Sequence, residues 1–90
     1  QFWTKMSKSL FSKANEKFVE TLISARQEAG LKQSELAKIV GKDQSYISNI
    51  ERGQRRVDML EFYILSKALN VDPVELYAAA IAHFPESFEI

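Results

Sequence analysis

Apolar residues recur at three- and four-residue spacing along most of this chain, and no stretch alternates with the period of two that a strand needs. Phe18, Val19, Leu22 and Ile23, with Arg26, predict a helix that starts at Asn15 as N-cap and stops at Gly30. Leu36, Ala37 and Val40 predict a second, short helix over 33–40, broken by Gly41. Asp43 caps a third, which carries Ile47 and Ile50 inward as far as Arg52-Gly53. After a basic connector at 54–57, Asp58 caps a fourth helix over 59–69, apolar at Leu60, Tyr63, Ile64, Leu65 and Leu69, and Asn70 ends it. Asp72-Pro73-Val74-Glu75 combines a cap, a first-turn proline and an acid at the third position, so a fifth helix runs from 73 to about 83. The expected fold class is all-α, five helices with short connections.

Residues 1–13 mix Phe2, Trp3 and Phe11 with Lys and Ser and show no clear period. They read as an N-terminal arm, as a helix extension, or in part as residues foreign to the native chain, with Met6 as an alternative start. The expected organisation is this segment, a helix-turn-helix domain over 14–83, and a tail over 84–90 that Pro85 keeps from continuing the last helix.

The stretch from Gln33 to Arg52 has the residues that two short helices packed steeply across a tight turn require. Ala37 is small where the helices approach most closely, Gly41 permits a positive φ, and Leu36, Val40, Ile47 and Ile50 are the apolar contacts that fix the crossing. In Ser24–Ala37, in Tyr46-Ile-Ser-Asn-Ile-Glu-Arg-Gly and in Ser66–Leu76 the chain resembles the phage-repressor (Cro/C1, XRE-like) helix-turn-helix family, over roughly residues 15–80. The resemblance implies a lambda-repressor-like five-helix fold in which helix three reads a DNA groove. It departs from the family at Lys32, where Ser, Thr or Asn usually caps helix two.

Gln44, Ser45, Tyr46, Ser48 and Asn49 are the candidate base-reading residues, polar and short enough to approach base edges in a major groove about 12 Å wide. Gln44 leads them, because a Gln amide can pair bidentately with adenine. The resemblance adds that such a glutamine often lies beside the one opening helix two, here Gln33. Tyr46 has two readings: it packs on a sugar-phosphate or thymine methyl, or it covers the flank of the domain. Lys32, Gln33, Lys42, Arg52, Arg55 and Arg56 are the candidate phosphate anchors, aided by helix N-terminal amides. Family members often pair the residues at Arg26 and Glu51 as a partly buried ion pair between helices one and three, which implies a structural role for both.

Net charge is zero, but residues 1–56 hold eleven Lys/Arg against six Asp/Glu, while residues 57–90 hold one Lys against six acids. A polyanion would therefore meet one end of the molecule and be repelled by the other. With no cysteine and a single His83, disulfides and cysteine-containing zinc sites are excluded, and no cofactor or metal is expected. There is no apolar run of the roughly 20 residues a membrane span needs and no secretory leader pattern, so a cytoplasmic protein is expected, without a membrane or small-molecule partner. No nucleophile-base arrangement or phosphate loop is recognisable, and no enzyme activity is expected. A single recognition helix reads few base pairs, so the partners expected are double-stranded DNA and a second copy of the chain. Leu76, Tyr77, Ile81, Phe84, Phe88 and Ile90, or the aromatic N-terminal segment, are the candidate self-association surfaces. The function implied is that of a small transcription regulator, such as a prophage-type repressor or restriction-modification controller. The alternative is a protein-interaction module on the same fold, with antitoxin-like partner binding.

Overall fold

A computed structural model describes the backbone of residues 2–84 and 86 and the side chains of residues 13–84 and 86. Its elements are α1 (Phe2–Glu28), α2 (Gln33–Ile39), α3 (Gln44–Glu51), α4 (Met59–Ala68) and α5 (Pro73–Ile81). α1 corrects the expected start at Asn15, which lies inside the helix. Neither glycine nor proline interrupts residues 2–28, and the cost of one Asn in a helix interior is only about 0.5 kcal/mol, too little to stop it. Residues 2–13 are thus a helix extension in the described backbone.

The short helices are delimited by side chains that satisfy their free backbone groups. Asp43, Asp58 and Asp72 are N-caps whose carboxylates accept from the amides of Tyr46, Glu61 and Val74. At α4 the Glu61 carboxylate also accepts the Asp58 amide, completing a capping box, but at α2 only half of such a box exists. The Glu35 carboxylate accepts the Lys32 amide at 2.8 Å, but the Lys32 ammonium has no lone pair with which to reciprocate.

The turn after α2 depends on Gly41 at φ 76°. Its amide donates to Lys38 O and the next amide, of Lys42, donates to Ala37 O at 2.8 Å. This double closure uses two carbonyls the helix leaves free and swings the chain directly into α3. α4 ends by the same pair of bonds with Asn70, φ 60°, in the glycine's place.

The core gathers Leu22 of α1, Leu36 and Ala37 of α2, Ile47 and Ile50 of α3, Leu65 with Leu69 at the end of α4, and Leu76 of α5. Ala37 is 1% exposed, so a larger side chain there would part α2 from α3. Phe62 joins the outer helices, its ring lying 5.8 Å from Phe18 and 6.3 Å, edge-on, from Tyr77. Ser66 is fully buried because its hydroxyl donates to Phe62 O at 2.7 Å.

One reading of an apolar residue changes. Leu60, Tyr63 and Ile64 point outward while Leu65 and Leu69 are buried, and Leu76, expected at a self-association surface, belongs to the core. Phe88 and Ile90 lie outside the described residues, and Phe84 is half-buried. No described helix is long and apolar enough to cross a membrane.

Candidate nucleic-acid interface

Glu51 at the end of α3 is the anchor of the site. Arg26 of α1 meets it with two donors, Nε to Oε2 at 2.7 Å and a terminal nitrogen to Oε1 at 3.0 Å, and uses its remaining terminal nitrogen on Leu31 O at 2.8 Å. Both partners are largely buried, their side chains 13% and 8% exposed. Two parallel bonds to a fork-shaped donor fix orientation as well as distance.

That fixed carboxylate orders the surface above it. Gln33 Nε2 donates to Glu51 Oε1 at 2.8 Å, and because a carboxylate only accepts, the Gln33 amide can face it only with its nitrogen. Gln33 Oε1 is thereby turned toward Gln44, whose Nε2 donates to it at 3.2 Å. Gln44 is exposed and keeps one N–H and its Oε1 for another partner. The series Arg26, Glu51, Gln33, Gln44 therefore carries order from a buried ion pair to an exposed amide on the first turn of α3.

Around Gln44 the other residues expected to read bases behave differently. Ser45 is exposed, its hydroxyl donating to the Asp43 carboxylate at 2.5 Å. That bond and the Tyr46 amide hold the Asp43 carboxyl below its ordinary value. Ser48 is half-buried and donates to Ser45 O at 3.3 Å. Asn49 is half-buried too; its Oδ1 accepts from Arg52 at 2.5 Å, which leaves its amide nitrogen as a donor.

Tyr46 packs against the core and is half-buried. Its outer ring is ringed by cations, Arg55 at 4.8 Å and Lys42 at 5.5 Å from the centroid. Burial first, and then its hydrogen bond to Glu61, raise the Tyr46 phenol above its ordinary value.

Lys32, Lys42, Arg52, Arg55 and Arg56 are all exposed and lie at the ends of α2 and α3 or in the loop after α3. Arg55 is also paired with Glu61 at 2.5 Å, and its side chain is 44% exposed. Glu61 escaped the sequence reading. Its one visible sign was the Asp58-x-x-Glu61 spacing of a capping box, which places it at the head of α4 and says nothing of Arg55.

The Helix-turn-helix family model matches residues 22–76. The uncharacterized HTH-type transcriptional regulator y4dJ of Sinorhizobium fredii is 43% identical over 51 residues, 57% of this chain and 66% of that protein. Control protein C.SmaI of Serratia marcescens is 36% identical over 66 residues, 73% of this chain and 79% of the relative. Among solved structures, an XRE-family like protein from Pseudomonas syringae superposes with a TM-score of 0.79 at 31% identity, covering 89% of this chain and 98% of the other. The match spans both helices of the motif and the packing that supports them: this chain belongs to the XRE-type helix-turn-helix family of DNA-binding regulators.

Proposed function

We propose that the protein is a transcription regulator of the cytoplasm that binds double-stranded DNA as a homodimer, inserting α3 into the major groove of each half-site. The observation that carries this reading is the Gln33–Gln44 pair: an exposed amide at the head of α3, oriented through Glu51 by a buried arginine. The remaining N–H and Oε1 of Gln44 match the N7 acceptor and N6 donor that adenine presents. Ser45, Ser48 and the Asn49 amide nitrogen lie on the same exposed side of α3 and complete the reading face, with Tyr46 at its edge. Lys32, Gln33, Lys42, Arg52, Arg55 and Arg56 supply phosphate contacts that set register without reading sequence.

The test begins with selection of a bound duplex from a random library. Gln44→Ala should cost roughly 1–3 kcal/mol on the selected duplex and little on random duplex, whereas Lys32→Ala should weaken both. With about six phosphate contacts, affinity should fall roughly a thousandfold between 50 and 200 mM salt. No binding to any duplex at low salt would leave the interaction-module reading in its place.

The partner copy is assigned to the outward faces of α4 and α5. Met59, Leu60, Tyr63 and Ile64 on α4, and Val74, Tyr77 and Ile81 on α5, are exposed, from 41% at Ile81 to 88% at Met59. Both sets recur at helical spacing, so each forms one apolar stripe of the kind an interface covers.

A further inference from the structure

Glu61, at the head of α4, holds a cation that the proposed interface would place on phosphate. One oxygen accepts the Asp58 amide at 3.0 Å and the other accepts the Arg55 guanidinium at 2.5 Å. Arg55 is in turn stacked 4.8 Å above the Tyr46 ring. One carboxylate thus ties the head of α4 to the loop after α3, and Arg55 carries the tie on to an α3 side chain.

For plain affinity this arrangement is a handicap. A phosphate nearing Arg55 meets a cation whose charge is already compensated, with an anion directly behind it that repels the phosphate. What the carboxylate supplies is order, because a long side chain with several rotatable bonds is held in one place against a half-buried ring. The geometry points to Glu61 as a specificity-determining positioning residue: it withholds Arg55 from unmatched duplex and presents it, with Tyr46, in one orientation to a matched one. This rests on the reading of α3 as the groove-binding helix.

Glu61→Gln separates charge from structure. A glutamine oxygen can still accept the Asp58 amide, and Gln serves in a capping box as Glu does. Affinities of the parent and Glu61→Gln should be compared on the selected duplex and on random duplex between 50 and 200 mM salt. Random duplex should bind about fivefold tighter to the variant, with the slope of log affinity against log salt steeper by about 0.9, the mark of one more phosphate engaged. The selected duplex should change less than about twofold, because the freed charge is offset by the lost orientation, so selectivity falls about fivefold. In an Arg55→Ala background the same substitution should change neither affinity.

Unchanged binding to random duplex, or a gain that persists without Arg55, overturns the inference. Arg55→Lys supplies an independent variant, since an ammonium cannot both stack flat on the ring and present a fork to the carboxylate. It too should lose selectivity, mainly on the selected duplex, and retained selectivity would also overturn the inference. A parent that binds no duplex at 50 mM salt removes the DNA-reading function and this inference together. A selective parent whose Glu61→Gln variant is equally selective removes the inference alone.

Discussion

At the residue scale, the Arg26–Glu51 pair matters through what it leaves behind when broken. Each charge is satisfied by the other, by Leu31 O or by Gln33, and with side chains only 13% and 8% exposed water replaces a missing partner poorly. Glu51→Ala should therefore lower stability by about 3–5 kcal/mol in urea unfolding, far more than an exposed pair such as Lys17–Glu20 would cost. Glu51→Gln should retain more of the fold but give Gln33 an ambiguous partner, so affinity for the selected duplex should fall beyond what the residual unfolding explains. Tyr46 gives a pH signature of opposite reach. Its phenol is raised by burial and by Glu61, so the neutral form is favoured in the folded chain. The stability this contributes is fully present below the free tyrosine value near 10 and is lost as pH rises through the folded value. Urea midpoints measured upward from neutrality should drop less steeply above pH 10 in Tyr46→Phe than in the parent.

At the scale of elements, the helix ends were legible in the sequence because each is written in a few adjacent residues. Asp43, Asp58 and Asp72 announce starts, and Gly41 and Asn70 announce stops, since the groups they satisfy lie within one turn. The same locality let the Gln33–Arg52 spacing outline the motif. Contacts set by how helices lie across one another were not legible. The partnership of Arg55 with Glu61 spans the turn between two helices, and the burial of Leu76 alongside exposure of Leu60 depends on which side of α4 and α5 meets α1. The start of α1 was misplaced because Asn15 has the side chain of a cap but no chain break before it. The stop signals can be tested as a pair. A Cβ added at Gly41 would meet nothing within 4 Å, so the penalty of Gly41→Ala is the backbone's alone, about 1–2 kcal/mol for an L-residue held at φ 76°. Asn70→Gly should act in the reverse direction, stabilising by up to about 1 kcal/mol, because it relieves the same strain at φ 60°. If both substitutions destabilise in urea titrations, the strain account of these turns is wrong.

At the scale of the whole molecule, the charge split and the apolar stripes make one arrangement. The eleven basic residues before residue 57 include the ends of α2 and α3, while α4 and α5 carry the acids together with seven large apolar side chains in water. A copy docked on the α4–α5 face would cover that apolar area and leave both α3 helices free to meet a duplex. Replacing Leu60 and Ile81 together by lysine tests this without touching the core, since both side chains are exposed, 69% and 41%. The double variant should keep the parent's helical circular dichroism and urea midpoint while sedimenting as a monomer at micromolar concentration, where the parent should sediment as a dimer. Its affinity for an isolated half-site should match the parent's, because α3 and its arginines are unchanged. On a duplex with two half-sites about one helical turn apart it should lose the parent's cooperative gain, which comes from tethering the second reading helix beside the first. A variant that stays dimeric would move the interface elsewhere on the molecule. One that becomes monomeric yet binds the two-site duplex as tightly as the parent would mean that each copy reads DNA alone.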